Sequence, residues 1–219
     1  MPHKVPKIIV ASHERSGTHF LMNAIADNYG YISDPWIDID WPQVKNPYAS
    51  ENFCYFLEQF QGKGVISTFK THFPASFLEP VIDLILDEFQ VFYIYRDVIA
   101  TMNSFSRHIS GFDWDMGPTA DSGRELMSMQ PSGALLRYQA KQFASLLERW
   151  RQHVYSWTKG LTAERRAKII YVRYKDLNER FDETIRSIGD RLGCFVVNTV
   201  RPDKNDRVIL PEEKNANVG

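Results

Sequence analysis

Cysteine is scarce in this chain: Cys54 and Cys194 are the 2 present in 219 residues. They stand far apart, with no paired spacing of the kind that marks a zinc site or a disulfide scaffold, so both are expected as reduced thiols in or near a core. Excess charge of one sign is also missing. Lys and Arg number 26 against 27 Asp and Glu, a formal net charge of -1. No overall basic field draws the chain toward nucleic acid or anionic lipid, and any anion site must be local. Long apolar runs are absent too: nothing approaches the roughly 20 residues needed to span a bilayer. The opening MPHKVPKIIVAS has no signal-peptide core. These absences point to a cytoplasmic protein with no membrane or nucleic-acid partner. Internal repeats, low-complexity tracts and convincing linkers are lacking as well, so residues 1–219 are expected to form a single domain.

What the chain does have is the mix of an ordinary globular protein, 43% hydrophobic and 24% charged. Four short apolar, β-branched runs are expected as buried strands: Lys7 to Ser12, Val65 to Phe69, Phe89 to Tyr95 and Lys168 to Val172. Helical patterns separate them. One follows the first strand over Thr18 to Asn28, a second runs from an N-cap Ser76 to Asp87, and a third covers Asp97 to Arg107. A long helix is expected from Gly133 to Trp157, with Leu136, Ala140, Phe143, Leu147, Trp150, Val154 and Trp157 as its apolar stripe. A last helix, Asp182 to Leu192, turns Ile185, Ile188 and Leu192 inward and stops at Gly193. Strand alternating with helix predicts the α/β class, a parallel sheet with right-handed crossovers. Residues 31–50 and 110–131 lack periodicity and are expected as functional loops.

Four segments carry chemistry. HERSGTH lies between the first strand and first helix, a turn that aims free helix N–H groups and the positive end of the helix dipole at an anion. Gly17 permits close approach, Ser16 and Thr18 add hydroxyls, and Arg15 adds a forked positive charge. It is not a triphosphate loop: Ser12 stands where G-x-x-x-x-G-K-[ST] wants its first glycine, and Thr18 stands where it wants lysine. TFKTHFP ends the second strand, on the rim where open α/β sheets bind ligands. Alternation sends Lys70 and His72 to one side and Thr71 to the other. A histidine there can take a proton, and the lysine can neutralise an oxygen. Arg96 ends the third strand and Ser104 follows eight residues on, a little over two helical turns, so both can meet a second anion. Tyr174 ends the fourth strand, where an aromatic with a polar tip can border a flat ligand.

Together, in this order and each at a strand end, the four resemble the sulfotransferases that use 3′-phosphoadenosine-5′-phosphosulfate (PAPS), the cytosolic type most closely. ERSGTHF, residues 14–20, is similar to that family's PKSGTTW; KTHFP, residues 70–74, to its KTHLP; Arg96 with Ser104 to its 3′-phosphate motif; and YKDL, residues 174–177, to its YEDL-like segment. The resemblance implies a three-layer, P-loop NTPase-like sulfotransferase fold with a central parallel sheet between helices. It implies PAPS as donor, 3′-phosphoadenosine-5′-phosphate (PAP) as product and no bound metal. His72 would be the catalytic base, with Lys70 and Arg15 beside the bridging oxygen. The cofactor would be held by Arg15, Ser16, Gly17, Thr18, His19, Phe20, Arg96, Ser104 and Tyr174.

The sequence departs from the family at three places. Arg15 replaces the loop lysine, as in the carbohydrate-modifying branch, and Phe20 replaces the adenine-stacking tryptophan. The RKGxxGDW-like segment that closes over the 3′-phosphate is missing. Arg201, Lys204, Arg207 or Lys214 substitutes, or that segment is cut away or absent. The acceptor is expected to be a small molecule or glycan, in a monomer or homodimer. The irregular loops, with Trp36, Trp41, Phe112 and Trp114 beside Asp34, Asp38, Asp40, Asp113 and Asp115, would wall its pocket and suit a sugar or a cationic amphiphile. Two other classes stay open: a nucleoside or nucleotide kinase, which would need a loop lysine and a magnesium-holding acid, and a non-catalytic nucleotide-binding protein.

Overall fold

The computed structural model describes residues 6–40, 55–60, 63–112, 115–139, 141–196 and 199–203. Cys54, Trp41, Asp113, Trp114, Lys204, Arg207 and Lys214 lie outside the described residues. Five parallel strands form the centre: β1 (Lys7–Ser12), β2 (Ile32–Asp38), β3 (Ser67–Thr71), β4 (Phe89–Tyr95) and β5 (Ile169–Arg173), in the order β2-β3-β1-β4-β5. Around them pack α1 (Thr18–Tyr29), α2 (Ile82–Glu88), α3 (Val98–Ser110), α4 (Gly123–Ser128), α5 (Leu146–Thr158), α6 (Ala163–Ala167), α7 (Tyr174–Glu179) and α8 (Phe181–Leu192).

Strand alternation sorts the core into two layers. Ile9, Ala11, Phe69, Val91, Tyr93 and Ile169 face one cluster, which includes Trp157 of α5. Ile8, Val10, Phe92, Ile94, Ile170 and Val172 face the other, filled by α1 and α8. Burial on both faces explains why these strands are nearly unbroken apolar runs. Because every pair is parallel, all the strand ends that carry the motifs open on one rim, and the order reverses around β1, where such sheets take their ligands.

The structure corrects several expectations. Ile32–Asp38, expected within an irregular loop, is the edge strand β2; Ile37 and Asp38 pair with Phe69 and Lys70. Its Ser-Asp-Pro sequence hides the strand, and an edge position tolerates the proline. β3 begins at Ser67, two residues later than expected, and takes in Lys70 and Thr71 through pairing with Val10 and Ala11. Ser76 caps no helix: a 3-10 turn at Glu79–Val81 precedes α2, because Pro80 disfavours α-geometry at the residue before it.

The long helix from Gly133 does not exist. A 3-10 segment, Gly133–Tyr138, is followed by an extended Gln139, and α5 starts afresh at Leu146, where Ser145 accepts a hydrogen bond from the Glu148 N–H. That Ser-x-x-Glu pattern is a helix-start signal within the apolar periodicity. The expected stripe holds only in part: Trp157 is buried and Trp150 packs on the core, but Leu136 and Leu147 are exposed, and α5 also buries Leu146, Arg149, His153 and Ser156. The loop at 110–131 contains α4, capped by Ser122. Cys194 is only half-buried, at the end of α8. No helix among the described residues is long and apolar enough to cross a membrane.

Candidate active site

The turn between β1 and α1 is shaped by two left-handed residues, Arg15 at φ 62° and Gly17 at φ 103°. Glycine is required at the second for a further reason, since a Cβ there would collide with the ring of Tyr174. The turn and Tyr174 are therefore in direct contact. No side chain caps α1, and its first turn holds no acid. The Ser16 side chain is 1% exposed, and its Oγ has no hydrogen-bond partner among the described residues. Leaving a buried hydroxyl unpaired costs about 1–3 kcal/mol, and an anion seated on the free N–H groups would relieve it. Thr18 is occupied, its hydroxyl 2.6 Å from Ser12 Oγ.

His72 stands beside this turn, at the end of β3, and every other polar group of the residue is held. Its backbone N–H donates to Asp40 Oδ2 at 2.6 Å, and its carbonyl accepts from His153 Nε2 at 3.1 Å. The ring Nδ1 lies 2.9 Å from the Ser12 carbonyl. A carbonyl can only accept, so Nδ1 carries the proton and Nε2 keeps a free lone pair. Burial, with Lys70 nearby, holds the imidazole pKa well below its usual value. Lys70 is itself paired with Asp38 at 2.9 Å, with its ammonium 5.6 Å from the Trp36 ring. His19 lies edge-on to the same Trp36.

Arg96 and Ser104 come to the far side of the turn and meet Arg15 there. Arg15 Nε donates to Ser104 Oγ at 3.2 Å, and its Nη1 lies 3.4 Å from His108 Nδ1. Burial, then Arg96 and Arg107, lower the Arg15 pKa; like charges are gathered here, an arrangement that an anion would stabilise. Arg96 stacks 4.2 Å over the Tyr174 ring and leaves its buried Nε without a partner among the described residues. Phe20 is 3% exposed, between Tyr174 and Phe181. Arg201, one of the expected substitutes for the missing closing segment, lies 5.8 Å over Phe20 and bonds Asn178.

Sequence reasoning missed a buried polar network behind His72. Arg149 forks onto Glu14 at 2.6 and 3.0 Å and donates to His13 Nε2 at 2.9 Å. His13 Nδ1 donates to the Glu14 carbonyl, and Tyr93 Oη donates to His153 Nδ1. Helix α5 also grips the segment after His72: Trp157 Nε1 donates to the Phe73 carbonyl and the Ala75 N–H to Ser156 Oγ. Burial would raise the Glu14 pKa, but Arg149 overrides it and holds the carboxyl well below its usual range. Asp40 goes the other way, pushed up to about 8 by burial and by Asp38. The available signal was Arg149 and His153 one turn apart on α5.

This network makes the protein acid-labile. Burial depresses the pKa values of His13 (to about 4), His72 and His153. Below pH ~6.5 the unfolded chain binds these protons and the folded chain does not, so stability falls as pH falls. Asp40 acts oppositely between pH ~4 and about 8, binding its proton in the folded state. The result is maximal stability near pH ~6.5. Below it stability falls with pH, since His108, also lowered to about 4, joins the other three histidines and together they outweigh Asp40. Denaturant melts from pH ~4.5 to ~8 check this, and a flat profile below ~6.5 would contradict it.

A cavity of about 450 Å³ is walled by Pro74, Tyr138, Lys141, Phe143, Arg149 and His153 among others. The Tyr138 ring meets His72 edge-on at 5.4 Å. Of the loop residues expected as acceptor walls, the described ones, Asp34, Trp36, Asp38, Asp40, Phe112 and Asp115, do not line this cavity. Among the described residues no group of three or more His, Cys, Asp or Glu could hold a metal ion.

The sulfotransferase domain family matches residues 5–208, and the chain belongs to that family. No curated protein matches. Two solved structures share the fold. A mouse sulfotransferase, SULT7A1, complexed with PAP, aligns with a TM-score of 0.56 at 18% identity, over 89% of this chain and 60% of that one. A sulfotransferase from Alicyclobacillus acidocaldarius aligns with a TM-score of 0.53 at 14% identity, over 93% and 89%. The chain thus spans about 60% of the mouse protein's length.

Proposed function

We propose that the protein transfers a sulfuryl group from PAPS to a hydroxyl or amine acceptor, with His72 as general base. The observation that carries this reading is the His72 tautomer, with Nδ1–H spent on the Ser12 carbonyl and Nε2 bare on the rim that holds the RSGT turn. Residues 1–219 are read as one sulfotransferase domain.

The residues present fit the donor. Ser16 Oγ and Arg96 Nε are buried polar atoms without partners among the described residues, on either side of the Gly17–Tyr174 contact. The N–H groups of Gly17, Thr18 and His19, with the Ser16 hydroxyl, would hold the 5′ end. Arg96 and Ser104 would hold the 3′-phosphate, and Phe20 and Tyr174 would border the adenine. PAPS, when bound, supplies an activated sulfuryl group and leaves as PAP. His72 Nε2 would take the proton of the attacking acceptor hydroxyl or amine, and the electron pair of the broken bond would leave on the 5′-phosphate oxygen of the donor. Lys70 and Arg15 neutralise the charge that develops on that oxygen. No step requires a metal.

A kinase would need a lysine after Gly17, where Thr18 stands. A binding-only protein would have no use for a base held in one tautomer. The test is thermal stability with nucleotide. PAP without magnesium stabilises the protein, by about 2.7 kcal/mol at one hundred times its Kd, and ATP with magnesium does not. A response to magnesium-ATP alone sinks the reading.

A further inference from the structure

β3 ends at Thr71, the last residue through which it pairs with β1. His72 to Ala75 therefore lie beyond the sheet, and α5 holds them from one side. His153 Nε2 meets the His72 carbonyl at 3.1 Å, Trp157 Nε1 donates to the Phe73 carbonyl at 3.0 Å, and Ser156 Oγ accepts the Ala75 N–H at 3.0 Å. Of the three, His153 is the one bonded to residue 72 itself. A carbonyl only accepts, so His153 carries its proton on Nε2 and keeps a bare Nδ1. That nitrogen lies 3.1 Å from Tyr93 Oη on β4, and the hydroxyl donates to it. Tyr93 is fully buried and His153 is 3% exposed, so water does not replace either bond. Both ring nitrogens of His153 are spent, and it has neither a lone pair nor a proton to offer a substrate.

Given the sulfotransferase reading, on which this rests, we infer that His153 and Tyr93 are positioning residues for sulfuryl transfer: Tyr93 holds His153 in its Nε2–H tautomer, and His153 uses that proton to aim the His72 ring. Two peptide planes flank the His72 Cα. Asp40 fixes the first through the His72 N–H at 2.6 Å, and His153 fixes the second through the carbonyl. With both planes set, the direction of the Cα–Cβ bond is set. The Ser12 carbonyl, 2.9 Å from Nδ1, then fixes the ring. Loss of the His153 bond frees the second plane and lets Nε2 swing, and a displacement of about 1 Å at a reacting group costs roughly 10²-fold in rate. The other tautomer of His153 would turn a bare Nε2 to the His72 carbonyl, two acceptors face to face. The Tyr93 hydroxyl, by donating to Nδ1, weighs against that tautomer, and in its absence Nδ1 would be a buried acceptor left unpaired.

The test compares Tyr93→Phe, His153→Leu and His153→Gln, whose side-chain amide can still donate to the His72 carbonyl. Labelled PAPS is the donor, and 2-naphthol, or water where 2-naphthol is not taken, is the probe acceptor. His153→Leu is expected to lower kcat by about 10- to 10²-fold, and Tyr93→Phe by about 2- to 10-fold, the worth of one hydrogen bond. His153→Gln recovers most of the loss. KM for PAPS and Kd for PAP move by less than about twofold, as for an interaction felt only in the transition state. Imidazole nitrogen NMR of the free protein reads the cause without turnover: wild type shows His72 protonated on Nδ1 and His153 on Nε2, and Tyr93→Phe shows a second tautomer of His153. Thermal melts identify folded variants, and Tyr93→Phe, which keeps the ring, carries the test if His153→Leu does not fold. A folded His153→Leu with wild-type kcat overturns the inference. So does a folded Tyr93→Phe with wild-type kcat and unmoved His153 resonances, a folded His153→Gln as slow as His153→Leu, or equal losses of kcat and PAP affinity. If PAP binds and His72→Ala is slow while all three variants run at the wild-type rate, this inference alone falls. If the wild type neither binds PAP nor consumes PAPS, the sulfotransferase reading falls and takes this inference with it.

Discussion

Replacing His72 with alanine lowers sulfuryl transfer by about 10²- to 10⁴-fold, the usual contribution of a positioned general base, while PAP binding changes little. The two readouts separate because the His72 backbone is anchored independently of its ring. Its N–H is held by Asp40 at 2.6 Å and its carbonyl by His153 at 3.1 Å, so loss of the imidazole does not release the segment. What the alanine variant does lose, besides the base, is the donor to the Ser12 carbonyl. His72→Asn, whose amide can still donate to that carbonyl, controls for this loss and should remain as slow as the alanine variant. The pH profile gives a further check. With the pKa of His72 depressed by burial and by Lys70, its lone pair is available at and below pH ~6.5, so the acid limb of kcat/KM begins only below that value. A folded His72→Ala that transfers sulfate at the wild-type rate ends the base assignment.

How much of this was legible from sequence depends on whether a residue's role is local. Strand-turn-helix at Ser12 to Thr18 is decided by nearby residues, and the structure places the turn there, with Gly17 at φ 103°. The strand-end positions of Arg96 and Tyr174 follow from apolar runs that stop, and the parallel sheet follows from alternation. Features set by distant partners were not legible. Arg149 looks like a solvated position on an amphipathic helix until Glu14, 135 residues away, is brought to it. With Arg149 and His153 buried, the inward face of α5 lies about one position round from the apolar stripe, so Leu147 ends outside while Trp157 stays inside. Asp38 and Asp40 looked like loop acids open to an acceptor. Pairing of β2 with β3 instead turns them onto Lys70 and the His72 backbone, so they hold the end of β3 in place. Arg15, expected beside the bridging oxygen, also reaches Ser104 and His108. The turn and the second anion site therefore share one guanidinium, a link no spacing rule encodes.

The Glu14–Arg149 pair carries the other large effect. Both partners are buried, Glu14 7% and Arg149 3% exposed, and the contact is bidentate. Removing one partner strands a buried charge, at a cost of about 3–5 kcal/mol. Arg149→Met therefore lowers Tm by about 6–20 °C for a chain of this size. The charge left behind sits in the worst place, since Glu14 precedes Arg15 and Ser16 and a bare carboxylate there repels the anion the turn is built to hold. PAP affinity in Arg149→Met should fall as well, more than general loosening would explain. The double variant Glu14→Gln/Arg149→Met distinguishes the causes. With the stranded charge removed, it recovers part of the lost stability and most of the lost PAP affinity, although the hydrogen bond to His13 is still missing. Chemical denaturation of the wild type, both single variants and the double variant gives the coupling energy directly. A loss below about 1 kcal/mol in Arg149→Met, or a double variant as weak for PAP as the single one, would show that the pair is solvated in solution and does not support the turn.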